Sequence, residues 1–449
     1  MKPMKIFNTY TNSKEEFKPI NSKEVSIYYC GPTVYNYVHL GNFRPPIIFD
    51  ILNRTLKEIG YNPKIVSNYT DIDDKIINQA KIEKKSEKQL SEFYIKSYEE
   101  CLNALNILPI YSHPKASEYI DHMVEAISKL IDTGYAYKID TDIYFRESKI
   151  KDYGKLSKQN LDDLNAGSRI DVSSKKENPF DFVLWKYTSD DGIKFDTKIG
   201  LGRPGWHTEC VVMVNNVFKQ KVIDIHGGGF DLKFPHHENE IAQSIALNNT
   251  TLANYWMHVG FLLTNGEKMS KSLNNSTLAI DVLKNHTPNG IRLFFASTHY
   301  RSPINYTEEI LSSFDKITSR YYQSLKRINN LFQVNNIKIN SKNIITEDYN
   351  DAINYLCDDL NTSNVITILD KELKELNQLN NSKEKDYKRL EQLFNTFIKL
   401  SNLIGLSFDI KKLISDEIKL YKDYLSAYEN KDYATSDKLR NQLIEKDIL

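Results

Sequence analysis

The stretch of the chain from residue 25 to residue 69 constrains the fold more than any other. It begins with a β-rich segment, VSIYYC, and a loop. It continues into IIFDILNRTLKEI at residues 47–59, an amphipathic helix pattern that ends at Gly60. A second β-rich segment, PKIVSNY, follows. Because two strands joined through a helix are parallel neighbours in one sheet, the sequence predicts an α/β fold built on a parallel sheet.

The rest of the chain predicts an interrupted sheet followed by helices. Residues 111–200 carry short strand patterns and loop signals such as NAGSR, which indicate an inserted α+β segment. The sheet is predicted to resume after Gly202, with VIDIH as a strand, GGGF as a glycine loop and HHENEIAQSIAL as a helix. Asp71 is predicted to cap the helix pattern IDDKIINQAKI. After Tyr306 the pattern is helical, with residues 334–348 as a connector.

Composition excludes several classes of protein. The 449 residues are too many for one ordinary domain, and 40% hydrophobic with 26% charged residues is typical of a soluble globular protein. Four cysteines without a C-x-x-C pair favour a reducing compartment over a disulfide scaffold. No apolar run approaches the ~20 residues of a membrane span, and the N-terminus lacks a signal peptide's apolar core. We therefore expect a cytoplasmic protein without membrane contact. The net charge of +0 argues mildly against a nucleic-acid surface, unless the charge is segregated on one face.

Two segments are candidates for binding a nucleotide. The first is PTVYNYVHLGN, a loop that follows a strand and opens a helix, where His39 can contact phosphate and Gly41 lets the backbone approach a ligand. The second is KMSKS, in which Lys268 and Lys271 can balance the charge of departing pyrophosphate. Taken alone, a loop histidine is more often a surface residue. The alternative for KMSKS is a solvated turn after a hairpin, since K-x-x-K occurs by chance in any Lys-rich chain, but the intact string is far less likely to occur by chance.

Four side chains of the zinc-ligand type lie in three distant segments. Cys30 ends the first strand, and Cys210 lies in the second half of the chain. His236 and Glu240 are four residues apart on one predicted helix, so they share a face, whereas His237 is predicted to point elsewhere. The spacing alone is a poor zinc signal, because a buried structural cysteine is the usual case.

Together these segments resemble the cysteinyl-tRNA synthetase family of class I aminoacyl-tRNA synthetases. Between residues 30 and 309 the matching stretches, in family order, are CGPTVYNYVHLGN, NYTDIDDKIINQA, NPFDFVLWK, GRPGWHTEC, DIHGGGFDLKFPHHENEIAQS, NYWMH, GEKMSKSLNN and HYRSPINYTEE. Weaker matches continue in DDLNTSNVITIL and KDYATSDKLRNQL. The resemblance implies activation of L-cysteine with ATP and transfer to the 3′ end of tRNA-Cys. It also implies one Zn²⁺ per chain, Mg²⁺ with ATP, and a monomer.

The resemblance also implies roles for individual residues. The implied zinc ligands are Cys30, Cys210, His236 and Glu240. The implied ATP-binding residues are His39, Asn42, Asp231, Lys268 and Lys271, of which His39 and the two lysines are also implied to be catalytic. The implied cysteine-binding residues are Gly31, Thr70, Trp206 and His226. Asn42 replaces the histidine common at the end of this class I signature, so it can donate a hydrogen bond but cannot carry a positive charge.

The predicted domains follow the same resemblance. A Rossmann-like catalytic domain is predicted at residues 1–110 and 201–264, with a connective insertion at 111–200 between its halves. A stem-contact region with the KMSKS loop (265–310), a helical bundle (311–385) and an anticodon-binding helical domain (386–449) are predicted to follow. Members of the family usually continue into a short tail containing Gly and Trp. We therefore expect either a trimmed chain or a member of the family that recognises the anticodon without such a tail.

Zinc would give such an enzyme its selectivity. A hydrophobic pocket separates near-isosteres by only about 1–3 kcal/mol, whereas zinc strongly prefers the thiolate of cysteine to the hydroxyl of serine. An editing domain is therefore not expected. Two alternatives stay open: a ligase that joins cysteine to an amino sugar in mycothiol synthesis, which has no need of anticodon-reading helices, and a non-catalytic relative that binds zinc and tRNA, which is expected to lack His39 or the lysine loop.

Overall fold

The computed structural model of the chain describes residues 3–158, 176–270, 273 and 275–449. The described chain forms two compact units. The sheet unit comprises Pro3–Asn285 and Tyr300–Tyr306, and the helical unit comprises His286–His299 and Thr307–Leu449. Within the described residues, no helix is long and apolar enough to cross a membrane.

A four-stranded parallel sheet lies at the centre of the sheet unit. The strands of this unit are β1 (Lys5–Asn8), β2 (Ser13–Glu16), β3 (Glu24–Tyr29), β4 (Asn62–Ser67), β5 (Ala136–Ile139), β6 (Asp142–Phe145), β7 (Phe182–Lys186), β8 (Arg203–Pro204), β9 (Ile223–Gly229), β10 (Ala253–Val259), β11 (Leu262–Thr264), β12 (Glu267–Lys268) and β13 (Ile304–Tyr306). The central sheet has the order β10-β9-β3-β4, with every neighbour parallel. The predicted parallel α/β fold is therefore confirmed, and the strand order reverses direction between β3 and β9.

Helices pack around this sheet. They are α1 (Arg44–Glu58), α2 (Asp74–Glu83), α3 (Glu87–Ala104), α4 (Ile120–Asp132), α5 (Trp206–Phe218), α6 (His236–Asn248) and α7 (Ala279–Asn285). Helix α1 begins three residues before the predicted pattern, because proline is tolerated in a first helical turn and Pro45 and Pro46 lie there. The predicted cap of α2 is wrong: Asp73 caps it through the Lys75 N–H, while Asp71 accepts hydrogen bonds from Ser117.

The insertion has its own antiparallel sheet, as predicted for an α+β segment. Its strands have the order β5-β6-β7-β8, and α4 packs against them through buried side chains such as Met123 and Ile127. The rings of Phe145 and Phe182 stack with centroids 4.9 Å apart. This sheet also supports the start of α5, because a Cβ at Gly205 would lie 2.1 Å from the carbonyl oxygen of Val183.

The glycines of the GGGF segment lie inside a strand, so the predicted glycine loop is wrong. Strand β9 runs to Gly229 and pairs with β10 along its whole length. A Cβ at Gly227 would lie 2.4 Å from the carbonyl oxygen of Met257, which explains why the strand tolerates only glycine there. The strand therefore continues to the sheet edge where polar side chains gather.

Arg44 fixes the segment that leads to the lysine motif. Its guanidinium is buried and donates hydrogen bonds to the carbonyl oxygens of Gly260, Phe261 and Ser302, at 2.7, 3.1 and 2.7 Å. Burial lowers its pKa to about 10. These carbonyls belong to the segments just before β11 and β13. Arg44 therefore sets the position of the small sheet β12-β11-β13, and Lys268 is the last residue of β12 in that sheet.

The helical unit confirms the helical prediction for the second part of the chain. Its helices are α8 (Pro288–Ala296), α9 (Glu308–Val334), α10 (Thr346–Leu356), α11 (Thr362–Asn381), α12 (Tyr387–Leu403), α13 (Ser415–Glu429) and α14 (Tyr433–Glu445). Helix α9 is capped by Thr307 and buries Tyr321, Leu325, Ile328 and Phe332 at helical spacing. The predicted connector corresponds to the segment between α9 and α10.

Glu372 on α11 is a buried carboxyl group in this unit. It is fully buried, and within the described part of the chain neither of its oxygens has a hydrogen-bond partner. Burial, followed by the negative charge of Asp348, raises its pKa to about 9. The group is therefore neutral in the folded protein at pH 7, whereas in the unfolded chain it is ionised.

Replacing Glu372 with glutamine is expected to stabilise the protein with a clear pH dependence. Below the unfolded pKa of 4.5 both states hold the proton, so the gain is small. Between pH 4.5 and about 9 the wild type loses about 1.4 kcal/mol of stability per pH unit, and the variant does not. Thermal unfolding of both chains at pH 5 and pH 8 measures the difference, which should be larger at pH 8. The control is Glu375→Gln, which removes the ion pair of Glu375 with Arg389 at 2.7 Å. An equal gain for both variants contradicts the prediction.

Candidate functional site

A cavity of about 640 Å³ opens at the carboxyl ends of β3 and β9. In a sheet of this kind, ligands bind where the strand order reverses, which is between these two strands. The cavity brings together most of the residues predicted for the site, namely Cys30, Gly31, His39, Asn42, Trp206, Asp231 and Lys268. The other described residues predicted for the site do not line it and are buried, namely Thr70, Cys210, His226, His236 and Glu240.

His39 begins the helical segment at one wall of the cavity. It precedes a short 3₁₀ helix, Leu40–Phe43, and its Nδ1 accepts a hydrogen bond from the Gly41 N–H at 3.1 Å. Because Nδ1 is an acceptor, the proton of the neutral ring lies on Nε2, which makes Nε2 a donor. The Oδ1 atom of Asn42 accepts the His39 N–H at 3.0 Å, so Asn42 completes a capping box.

An ion pair also lines the cavity. Lys268 Nζ lies 3.0 Å from Asp231 Oδ2, and both side chains are partly exposed to the cavity. The ammonium also lies 4.7 Å from the centre of the Phe261 ring. Ser270 and Met269 continue the wall toward the rest of the motif. The second predicted lysine, Lys271, lies outside the described residues.

Four predicted ligands meet next to the cavity and form a cluster that we call its floor, in which Cys30 lines the cavity and Cys210, His236 and Glu240 are buried. Cys30 Sγ lies 3.9 Å from Cys210 Sγ and 3.9 Å from Glu240 Oε1. His236 Nε2 lies 3.5 Å from Cys210 Sγ and 2.8 Å from Glu240 Oε1. The ligand atoms of this set all lie within 4.8 Å of one another, although their residues come from β3, α5 and α6. The backbone positions Cys30 directly, since its N–H donates to the carbonyl oxygen of Gly227 at 3.0 Å.

A second set of ligand types overlaps the first. It comprises Cys30, His226, His237 and Glu240, which meet the same distance criterion. His226 Nε2 lies 2.5 Å from Glu240 Oε2, and His237 Nε2 lies 3.3 Å from Cys30 Sγ. The prediction that His237 points elsewhere is therefore wrong. Helix α6 is buried on all sides over residues 236–244, so successive side chains both face the floor.

The electrostatics of the floor favour ionised Cys210, His236 and Glu240, whereas burial, followed by Cys210, raises the pKa of Cys30 well above its usual range. The thiol of Cys30 lowers the pKa of Cys210 to about 6 by hydrogen bonding, although burial opposes it. Burial lowers the pKa of His236, but Glu240 and Cys210 outweigh burial and raise it to about 10. Burial also raises the pKa of Glu240, and His226, His236 and His237 together hold it well below its usual range. Metal ligands bind in their deprotonated forms. A metal cation that binds here would therefore displace the proton that the His236 ring carries.

Further hydrogen bonds support the ligand side chains from behind. His207 Nδ1 lies 3.0 Å from His236 Nδ1, and the exposed ring of Trp206 stacks on His236 with centroids 4.2 Å apart. His237 Nδ1 lies 2.9 Å from His258 Nε2, and His258 Nδ1 lies 2.9 Å from Thr9 Oγ1. Thr9 and His258 were not predicted as site residues, because no spacing in the sequence connects them to the ligands. The only signal was the NYWMH stretch, which contains His258.

Asn68 was also missed, and it organises the predicted cysteine pocket. Its Oδ1 accepts the Gly31 N–H at 2.9 Å, and its Nδ2 donates to Thr70 Oγ1 at 3.3 Å. Asn68 is buried directly after β4. Through these two hydrogen bonds it links Gly31 to Thr70, which are both predicted pocket residues. A buried Asn in an otherwise apolar strand pattern was the available signal.

Replacing Gly31 with alanine is expected to disrupt the pocket. A Cβ at this position would lie 1.8 Å from the Asn68 carbonyl oxygen, so one backbone segment must move. Overpacking of this kind costs about 1–3 kcal/mol and would displace the neighbouring Cys30. We expect the KM for cysteine in pyrophosphate exchange to rise at least about tenfold. An alanine variant with wild-type KM and wild-type thermal stability contradicts the close approach.

Comparisons with known proteins agree with this geometry. The family described as tRNA synthetases class I (C) catalytic domain matches residues 16–316, and the DALR domain matches residues 353–409. The chain is 42% identical to a cysteine--tRNA ligase of Acholeplasma laidlawii over 446 residues, which covers 99% of this chain and 100% of the relative. It is 40% identical to a cysteine--tRNA ligase of Geobacillus sp. over 454 residues, which covers 100% of this chain and 97% of the relative.

Solved structures show the same fold at low identity. Methionyl-tRNA synthetase of Mycobacterium tuberculosis, in complex with methionyl-adenylate, superposes with a TM-score of 0.60 at 13% identity, covering 85% of this chain and 89% of that chain. The agnB2 LeuRS of Agrobacterium radiobacter K84, in a ternary complex, gives a TM-score of 0.58 at 11% identity, with 87% and 85% covered.

Proposed function

The chain belongs to the cysteinyl-tRNA synthetase family, and we propose that it activates L-cysteine with ATP and transfers it to the 3′ end of tRNA-Cys. One observation carries the proposal. Cys30, which lines the same cavity as His39 and Lys268, belongs to the cluster of Cys30, Cys210, His236 and Glu240, and the other three members of the cluster are buried. A thiol-selective cluster therefore reaches the space that the phosphate-binding groups line, as cysteine activation requires.

The cluster fits zinc by its donor atoms and their separations. Tetrahedral zinc with sulfur ligands at about 2.3 Å and nitrogen at about 2.0 Å separates two sulfurs by about 3.8 Å, and sulfur from nitrogen by about 3.5 Å. The corresponding separations here are 3.9 Å and 3.5 Å, whereas His236 Nε2 and Glu240 Oε1 are in direct contact at 2.8 Å and would move apart by about 0.5 Å to share an ion. When bound, Zn²⁺ supplies a preference for the cysteine thiolate over the hydroxyl of serine.

Of the two overlapping sets, we favour the one that contains both cysteines. The two oxygens of Glu240 are divided: Oε1 faces Cys30 and His236, while Oε2 pairs with His226. His226 then holds the carboxylate in place, and His237 contacts the sulfur of Cys30 while its other nitrogen pairs with His258. Partners of this kind behind the ligands are usual at metal sites.

The remaining residues promote the activation step by position and charge. The cysteine carboxylate attacks the α-phosphorus of ATP, a bond to the bridging oxygen breaks, and pyrophosphate leaves. His39 Nε2 donates a hydrogen bond to the phosphate oxygens. Lys268 leaves its partner Asp231, pairs with pyrophosphate and so balances the charge of the leaving group. Lys271 is proposed to act with Lys268, and Mg²⁺ to accompany ATP. No side chain needs to act as a nucleophile.

The proposed partners follow from the matched families and from the residues at the cavity. The match of residues 353–409 to the DALR domain supports tRNA, rather than an amino sugar, as the acceptor. Both His39 and Lys268 are present at the cavity, which argues against a non-catalytic relative. We propose a monomer as the working form, as the resemblance to the family implies.

Three measurements test the proposed function. ATP–pyrophosphate exchange should depend on cysteine, and serine should support it far less well. Charging should be seen with tRNA-Cys and not with an amino-sugar acceptor, and the purified chain should hold one zinc. Exchange that proceeds equally with serine, or charging of the amino sugar alone, would overturn the proposal.

A further inference from the structure

Lys75 is a cation of the cavity that the proposed activation step does not use. It lies in the first turn of α2, is exposed, and lines the cavity together with Tyr35. Its ammonium lies 5.6 Å from the centre of the Tyr35 ring. Of the residues that the structure describes, none forms an ion pair with Lys75, although the charge of Lys75 opposes the rise that burial causes in the pKa of Asp73, whereas Lys268 is paired with Asp231.

The topology separates this cation from the predicted triphosphate groups. Residues 33–35 run alongside the segment after β4, since Thr33 and Thr70 form a β-bridge and the Val34 N–H donates to the Thr70 carbonyl oxygen. Asp231 and Lys268 follow β9 and β10 at the other side. Strands β4 and β10 are the two edges of the four-stranded sheet, three spacings or about 14 Å apart. The cavity therefore has two cationic sides.

Three substrates must use this cavity, and each brings an anion. The triphosphate of ATP faces His39 and Lys268, and the carboxylate of cysteine must lie near the floor, because its thiol is held there. The third anion is the phosphodiester of the 3′-terminal nucleotide of tRNA, which enters from solvent. An exposed lysine at the rim suits the third anion, and an aromatic ring beside it suits the unpaired base of that nucleotide.

We propose that Lys75 and Tyr35 form a rim subsite for the 3′-terminal nucleotide of tRNA. Lys75 binds the phosphodiester, and Tyr35 stacks on the base, so that the ribose hydroxyl is held over the activated cysteine. The subsite rests on the proposed function, and it is a positioning site for transfer, separate from activation.

Lys75→Met tests the subsite, because methionine keeps the length of the side chain without its charge. Single-turnover transfer from preformed cysteinyl-adenylate to tRNA should slow about 10–100-fold, while cysteine-dependent pyrophosphate exchange without tRNA changes less than about twofold. The salt dependence of tRNA binding should lose about one unit of slope. Tyr35→Phe should keep transfer, whereas Tyr35→Leu should slow it. Lys81→Met, a change to an exposed lysine at the other end of the same helix, should leave transfer unchanged.

A truncated tRNA makes the test specific. Lys75→Met should weaken the binding of complete tRNA but not of tRNA that lacks its 3′-terminal nucleotide. Equal weakening of both, or a raised KM for cysteine or ATP in exchange, would overturn the subsite, because Lys75 would then contact another part of tRNA or another substrate. A wild-type chain that exchanges pyrophosphate but charges no tRNA would instead overturn the proposed function, so the two failures are distinguishable.

Discussion

Replacing Cys210 with alanine is expected to remove stoichiometric zinc and, with it, most cysteine activation. Cys210 is buried and contributes one of the two sulfurs of the cluster, 3.9 Å from Cys30. Losing an outer partner of a metal ligand already costs about 10–100-fold in affinity or activity, so the loss of a ligand should exceed that. Zinc content by elemental analysis and cysteine-dependent pyrophosphate exchange measure the two effects. The residual exchange should also prefer cysteine over serine only about 10–200-fold.

Two further variants identify which ligand set binds the metal. His237→Ala removes a member of the alternative set that is not part of the favoured one, so this variant should keep its zinc, with weaker affinity. Cys101→Ala is the matched control, because Cys101 is also a buried cysteine of the sheet unit but lies on α3, outside both sets. Full zinc in Cys210→Ala together with its loss in His237→Ala would contradict the favoured set.

The parallel sheet was predictable because its signal is local. The β3–α1–β4 pattern lies within one stretch of sequence, and its polarity follows from the connection alone. Local signals failed where tertiary contacts decide. The GGGF segment was predicted as a loop because it is rich in glycine. Strand β9 in fact continues through it, and glycine is needed at position 227 because the backbone of β10 approaches too closely for any side chain.

The site was predictable only in part, for a related reason. His236 and Glu240 share a helical face, which spacing can show, but the distance of Cys30 and Cys210 from them depends on how β3, α5 and α6 pack. The resemblance to a family implied the four ligands, but it implied no supporting role for any residue behind them. Asn68 and Thr9 contact the site through single hydrogen bonds across the fold, and no sequence period encodes such contacts.

The error over His237 has a physical cause that applies more widely. A helix with one buried face sends neighbouring residues in different directions, so His236 and His237 were expected to separate. Helix α6 is buried from every side in its first turns, so both histidines contact the cluster: His236 Nε2 lies 3.5 Å from Cys210 Sγ, and His237 Nε2 lies 3.3 Å from Cys30 Sγ. Amphipathic reasoning does not hold for a fully buried helix.

Two substitutions of His39 separate its role in the fold from its role in activation. In the structure Nδ1 accepts the Gly41 N–H at the start of a helical segment, a role that asparagine can also fill. Asparagine cannot supply a donor at the position of Nε2. His39→Asn should therefore keep the wild-type unfolding temperature, whereas His39→Ala should lose about 1 kcal/mol of stability from the missing cap.

Both variants are expected to slow cysteine-dependent pyrophosphate exchange by about 10²–10³-fold, the usual cost of losing one donor to a developing charge. The effect should appear in kcat, with the KM for cysteine nearly unchanged, because the floor of the cavity that holds cysteine is intact. Zinc content should stay at one per chain in both. If His39→Asn restores exchange as well as stability, His39 acts only as a helix cap, and the charge of the transition state must be stabilised by the lysines alone.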